Sequence, residues 1–448
     1  VKAVVLALTL TLAAPAGASA PSTPLQVLGR ELTLEESVEI ALSTQPQIQA
    51  RLNDYAAARY RVTQTIAPLL PQLSGNVTAT KSHTPTTETT RNLFINSMRV
   101  PRGTPDLTVT SLVMQGFNDS FAAQVSLSQL LFDFGKNMAG VDAARRLADV
   151  ALEDVELQRQ LVALAVREAY TNLLLARRLA DVQRQALERT KVTLVATQRA
   201  VDVGLRAEAD VARAEVDVAN AEIDVIRATN AILLGRAALN TAIGIEVTTP
   251  IEIQDNLAYR PAVFDRETLF AESLRQRPEY RQARLRVDVG EALERQAFRN
   301  FFPDITGSGS YGGVQFPQFS ESWIVGLTMS WTFFDGGGKV ARYQESKANL
   351  EASRARLAST ALDVSRDVEQ AVVTATEAQQ RIQAARKVVQ AAERNFKFAE
   401  GRFRSGLATI IELTDAQFSL TQAHAVEMQA LSDFRLALYR LDRAVGRR

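Results

Sequence analysis

The sequence predicts a mainly helical fold with added membrane β-strands, built from one helix–strand–strand–long helix–helix unit used twice. Three observations predict it. Landmark residues recur at constant spacing, two long stretches lack proline, and two pairs of segments alternate with a period of two.

The repeat is read from short motifs in fixed order. Asp133, in Leu131-Phe132-Asp133, recurs 202 residues on as Asp335, in Phe333-Phe334-Asp335. Gly204-Leu205 recurs as Gly406-Leu407 and Gly244 as Gly446, both at the same spacing of 202. Nearer the N-terminus, Pro46 and Pro71 recur as Pro278 and Pro303 at a spacing of 232. The change of spacing places thirty extra residues between Gly75 and Asp133 in the first copy.

Residues 1–18 read as a signal peptide. Lys2 supplies the charge, Ala3 to Ala14 an apolar core too short to span a bilayer, and Ala16-Gly17-Ala18 or Ala18-Ser19-Ala20 a cleavage site, the first favoured because Pro21 would directly follow a cut at the second. A helix is expected from Leu32, with Thr33 and Glu36 as a capping box, a break at Pro46 and a stop at Pro68 and Pro71. Strands follow at about 72–82 and 119–132, separated by a segment rich in Thr, Asn, Ser and Pro that reads as a long loop.

No proline occurs between Asp106 and Thr249, and Ala, Leu, Arg, Glu and Gln dominate from Asn137 on. Helices are therefore expected at about 137–203 and 207–241, the first roughly 100 Å long. Val162, Val166, Ala169, Leu173, Ala176 and Ala180 step by four and three, as a coiled-coil seam does, and Val364, Val368, Ala371 and Ala375 repeat the start of it. The first repeat thus covers 19–244. A linker with Pro250 and Pro261 covers 245–263 and is expected to lie against the helices. The second repeat covers 264–448, with strands at about 304–314 and 322–334 and long helices at about 339–404 and 409–445.

In the strands, Trp323, Val325, Leu327, Met329 and Trp331 alternate with Gly326, Thr328 and Ser330. One apolar face, one small polar face and aromatic residues near the ends describe a membrane β-barrel strand. A hairpin packed on a soluble core is the other reading of the same pattern. Four strands cannot close a barrel alone, so a membrane location demands an oligomer.

Composition removes several classes. The 448 residues carry 51 Lys and Arg against 50 Asp and Glu, so nothing points to nucleic acid. There is no cysteine, hence neither a disulfide framework nor thiol chemistry nor a lipid-bearing cysteine. Two histidines, His83 and His424, are far apart, and no metal, cofactor or catalytic set can be assembled. Gly336-Gly337-Gly338-Lys339 lacks the spacing of a phosphate-binding loop. No enzyme is expected. A soluble periplasmic coiled-coil adaptor or structural protein is the alternative, although an adaptor would need β-domains between its helical arms, and here only single hairpins interrupt the helices.

These features together, across essentially the whole mature chain, resemble the TolC-type outer-membrane efflux protein family. The resemblance implies a homotrimer whose protomers share a twelve-stranded barrel in outer-membrane lipid and a long α-helical tunnel in the periplasm. It further implies an exit duct working with an inner-membrane transporter and a periplasmic adaptor. The family's acidic gate falls on Glu412 and Asp415, with Asp210 and Arg213 at the equivalent places of the first copy. Its adaptor-contacting turns fall on Val203, Gly204 and Leu205 and on Ser405, Gly406 and Leu407.

Overall fold

A computed structural model describes residues 31–83, 117–255, 259–315 and 319–447. The expected signal peptide and nearly all of the expected long loop lie outside the described residues. The chain divides into two compact units.

One unit gathers residues 31–55, 150–284 and 356–447. It opens with β1 (Glu31–Leu32) and α1 (Leu34–Thr44). Leu32 is therefore a strand residue and not a helix start, because it pairs in parallel with Ile253 of the linker. Thr33 caps α1 through the reciprocal bonds with Glu36. α2 (Pro46–Ile66) restarts the helix at the proline, whose missing N–H costs nothing in a first turn. The second copy repeats this as α5 (Arg266–Gln276), capped by Asp265, and α6 (Pro278–Arg299).

The long helices are α3 (Lys136–Asp202), α4 (Glu208–Ile243), α7 (Gly338–Arg404) and α8 (Ile410–Val445). On α7, Ala375, Ala378, Ile382 and Ala385 are buried against Ala430, Phe434 and Ala437 of α8, so the small seam residues let the two backbones approach. On α3 the buried face is wider than a two-position seam. Tyr170 and Leu174 join Val162, Val166 and Leu173, while Ala169 is only half-buried. The extra width is covered by α1 and by β4 (Glu252–Ile253), the linker strand, whose Ile253 is buried in the same core together with the preceding Ile251. Tyr170 donates its hydroxyl proton to a carbonyl here, lying 2.6 Å from Gln254 O and 3.1 Å from Leu32 O.

The other unit gathers residues 56–149 and 285–355. Its sheet is antiparallel in the order β2 (Gln72–His83), β3 (Phe117–Phe132), β5 (Asp304–Gln315), β6 (Phe319–Ser330). β6 ends at Ser330, four residues short of the expected 334. The β5–β6 ladder begins at Asp304↔Ser330 and β6 is an edge strand, so among the described residues nothing pairs with the chain beyond Ser330; Trp331 donates its indole N–H to Phe301 O (3.0 Å), and the chain then turns at Gly336 and Gly337. Register places Leu73, Val77, Val125, Leu127, Trp323 and Leu327 on one face, and Ser, Thr, Asn and Gln residues dominate the other. Among the described residues nothing covers the apolar face: Trp323 is 73% exposed and Leu327 75%.

Asp133 and Asp335, the repeated strand-end acids, cap the long helices. Asp133 Oδ2 accepts from Asn137 N (2.7 Å) and Oδ1 from Gly135 N (2.9 Å), and Asp335 Oδ2 accepts from Lys339 N (2.8 Å). Asp133→Ala is expected to cost about 1–2 kcal/mol, because its carboxylate is buried, and Asp335→Ala less. Thermal melting of the detergent-solubilised protein checks this. An Asp133→Asn variant that keeps one acceptor oxygen should recover part of the loss, and no difference between Asn and Ala would contradict a capping role.

Candidate functional site

The two hairpin tips lie in the α-helical unit and are built alike. α3 ends at Gly204, whose φ of +76° lets Gly204 N bond Val201 O (2.8 Å) and Leu205 N bond Ala200 O (2.8 Å). α7 ends at Gly406, φ +74°, with Gly406 N on Phe403 O (3.1 Å) and Leu407 N on Arg402 O (2.8 Å). These paired bonds satisfy the last carbonyls of each helix and throw the next residue outward. Leu205 is 79% exposed, and Val203 and Leu407 are likewise in solvent. Ser405, standing where the first tip has Val203, bonds Gly401 O through its hydroxyl (3.0 Å), so the second tip is the less apolar.

The sequence-predicted acids do not form one cluster within a protomer. Glu412 sits in the first turn of α8, where its N–H is bonded by Thr409 Oγ1 (3.3 Å) and its carboxylate lies 3.5 Å from Arg402. Arg402 also donates to Leu407 O (3.3 Å), so this acid helps hold its own tip closed. Asp415 is exposed one turn on. Asp210 pairs with Arg206 (3.4 Å), and Arg213 acts instead on Asp217 of α4. Burial pushes the Asp217 carboxyl up, Arg213 opposes this, and the charge of Asp415 adds to it. Asp217 Oδ2 is buried without a hydrogen-bond partner among the described residues.

Two residues missed by motif reading join the tips. The Arg206 guanidinium lies 3.9 Å from the centroid of the Phe403 ring and donates to Ala408 O (3.0 Å), so it clasps the α7/α8 tip while holding Asp210 on its own. Beneath it Ala214, Phe403, Ala408, Ile410 and Leu413 form a small core. Further along, Gln417 Nε2 donates to Thr193 Oγ1 (2.8 Å) in a buried bond between α8 and α3. Arg206 and Phe403 are 197 residues apart, and no local pattern joins them.

Among the described residues no set of His, Asp and Glu side chains is placed to hold a metal ion, and no helix is long and apolar enough to cross a membrane. The arrangement suits a mechanical and electrostatic role. It offers two apolar turns in solvent, an acidic helix start beside them, and one cation that ties the turns together.

The family model described as outer membrane efflux protein matches residues 38–245 and 269–447. Over 343 residues the chain is 25% identical to nodulation protein T of Rhizobium leguminosarum bv. trifolii, spanning 73% of this chain and 72% of that protein. Over 424 residues it is 23% identical to the alkaline protease secretion protein AprF of Pseudomonas aeruginosa, spanning 92% and 83%. Its fold is similar to that of the outer membrane protein VceC from Vibrio cholerae. The TM-score is 0.76 at 22% identity, with 92% of this chain and 96% of that one covered.

Proposed function

Because the chain belongs to the outer membrane efflux protein family, we propose that three copies of it form a twelve-stranded barrel and a helical tunnel that serve as the exit duct for an inner-membrane transporter and a periplasmic adaptor. The protein is an outer membrane channel of efflux and secretion type, with its helical part in the periplasm. Its work is conduction and not covalent chemistry.

One observation carries the reading. A sheet with an uncovered apolar face and two open edges has no stable place in water, and in lipid each edge must find a strand. Contact with outer-membrane lipid satisfies the face, and further copies satisfy the edges. The exposed apolar tips, Val203-Gly204-Leu205 and Ser405-Gly406-Leu407, then suit an adaptor, since solvent-exposed apolar residues at a turn gain by being covered. Glu412 and Asp415, tripled about an axis with Asp210 and Arg213 nearby, form the gate. Converging carboxylates draw cations. Arg206 keeps each pair of tips together and so keeps the gate narrow.

Planar-bilayer recording of the purified protein tests this. Divalent cations added from the tip side, at about millimolar concentration, should block the current. Glu412→Ala with Asp415→Ala should abolish the block and weaken cation selectivity. Arg206→Ala should instead raise the unblocked conductance, because Asp210 and the Phe403 ring lose the cation between them. Equal block in the parent and the double variant would move the constriction elsewhere. Recovery of the protein as a soluble monomer would remove the duct altogether.

A further inference from the structure

We propose that β6 of one copy pairs with β2 of the next in one defined antiparallel register, Thr328 opposite Thr78 and Met329 opposite Val77. The inference rests on the homotrimer reading and goes beyond it by fixing which residues meet. The partner is a second copy of this chain.

The internal repeat supplies the register. Moving β2 forward by 232 residues and β3 by 202 carries the β2–β3 ladder onto the β5–β6 ladder without a single mismatch. Gln72↔Ser128 becomes Asp304↔Ser330, Val77↔Ala123 becomes Gly309↔Val325, and His83↔Phe117 becomes Gln315↔Phe319. Side chains obey the same operation. Gln129 Nε2 donates to Leu69 O (2.8 Å), and its counterpart Trp331 donates to Phe301 O (3.0 Å), the counterpart of Leu69. The two helix-capping acids correspond as well.

One ladder in the sheet has no counterpart within the chain. This is β3–β5, where the end of the first copy meets the start of the second, with Ser126↔Ser310, Leu127↔Gly309, and a bulge at Leu131 before Phe132↔Ile305. The same operation, forward by 202 for β3 and back by 232 for β5, lands on β6 and β2. These are the two strands with open edges. It pairs Thr328 with Thr78, Met329 with Val77 and Leu327 with Ala79, places the bulge at Phe333, and sets Phe334 opposite Leu73. At these pairs apolar residues meet apolar residues and hydroxyls meet hydroxyls, while nearer the loop end of the strands the same operation sets Val325 opposite Lys81. A slip of one residue would turn a whole strand inside out.

Residues around the edges are bare in the way that a missing neighbour leaves them. Phe132 rests against Phe134 (4.8 Å), which stacks on Phe302 (5.1 Å). Its counterpart Phe334 is 85% exposed, and the counterpart of Phe302 is Leu70, also exposed, at the other edge. Ala292 is buried against Ala143, whereas its counterpart Tyr60 is 71% exposed. A neighbouring copy in this register covers Phe334 and Tyr60 together.

The two kinds of seam differ in charge. Within the chain, Lys136 pairs with Asp304, and Arg299 donates to Gly135 O (2.7 Å). The corresponding positions between copies are Gly338 with Gln72 and Ala67 with Gly337. The seam between copies therefore lacks both ties and is the one that opens first on dissociation.

The chain has no cysteine, so paired cysteines report without background. In outer membranes oxidised with copper phenanthroline, Thr328→Cys with Thr78→Cys should give covalent dimers and trimers. Thr328→Cys with Asn76→Cys or with Thr80→Cys, which keep the same face but shift the register by two, should give at least about tenfold less. Met329→Cys with Val77→Cys tests the same register on the opposite face, should the first pair fail to assemble. Ser126→Cys with Ser310→Cys closes within one chain and calibrates the geometry. Stronger linkage at a shifted pair overturns the register. So does the absence of linkage in both predicted pairs while the calibrating pair closes and the cysteine-free parent is trimeric by mass. A monomeric parent overturns the trimer itself, and the register with it.

Discussion

Gly446→Ala is expected to abolish most of the folded, membrane-inserted protein, whereas Gly204→Ala leaves it assembled. Both glycines sit past a helix end at positive φ, +96° and +76°. That conformation alone costs an alanine about 1–2 kcal/mol. Their surroundings differ. A Cβ on Gly446 would lie 2.8 Å from Arg277 N and 2.8 Å from Gln276 C, both backbone atoms of the α5–α6 junction, while a Cβ on Gly204 meets nothing within 4 Å. The junction cannot give way locally. Arg277 N is bonded to Ser273 O (2.9 Å), and Gln160 Nε2 donates to Gly446 O itself (2.8 Å), so relief requires moving α8 against its core. Overpacking of this kind adds about 1–3 kcal/mol. Gly244→Ala should fall between them, since its nearest backbone atom, Gln45 Cα, is at 3.1 Å. The yield of membrane-inserted protein and the melting temperature of what is recovered give the ranking. Equal losses at Gly446 and Gly204 would mean that dihedral strain, and not close approach, sets the cost.

What could be read in the sequence was what a single element dictates by itself. The capping box at Thr33, the breaks at Pro46 and Pro278, the helix-ending glycines and the period-two strands each act over a few residues, so a local pattern reports them. The repeated spacing extended that reading to the whole architecture. Asp133 and Asp335 were legible as landmarks but not as helix caps, because the turn between strand and helix hides the relation. In the first copy that turn runs through Phe134 at φ +55°, where the second copy has Gly336.

The site was less legible for the same physical reason. Arg213 lies one turn from Asp210, so a helical pattern pairs them, yet Arg206 takes that carboxylate because Phe403 and Ala408 hold its guanidinium in place. Glu412 was recognised as an acid at a tip. Its partner Arg402 stands on the other helix of the hairpin, where sequence spacing gives no distance. Asp217 had no motif at all, and only the approach of Asp415 and its own burial single it out. The strand that ended early, β6, lies at the sheet edge, whereas its counterpart β3 makes the equivalent side-chain bond at Gln129 and still runs on to Phe132 because β5 pairs with it.

Arg277→Met is expected to produce the second large loss. The Arg277 side chain is only 4% exposed. It bonds Glu279 through two nitrogens (3.3 and 3.1 Å) and Asp367 through a third (3.0 Å), while Arg443 also holds Glu279 (2.6 Å) and the more exposed Arg366 also holds Asp367 (3.1 Å). Methionine fills the space but leaves the two acids without their shared cation. Removing one member of a buried ionic network typically costs about 3–5 kcal/mol. The first copy has Gln45 at the equivalent place, donating to Thr241 O (3.3 Å) and Ala242 O (3.0 Å), so Arg277→Gln should cost less than Arg277→Met. Acidification separates lost charge from lost packing. Burial by itself would raise the Glu279 and Asp367 carboxyls. The arginine bonds and charges outweigh it, and both are held below the ordinary carboxylate range. Groups with depressed values stabilise the fold above their unfolded pKa, about 4, and that contribution fades as the pH falls through the folded values. The parent therefore loses stability below about pH 4 that the Met variant already lacks at neutral pH. Their melting temperatures should converge as the pH is lowered from about 7 towards 3. A gap that stays constant over that range would mean that Arg277 acts through its volume, with its charge contributing nothing.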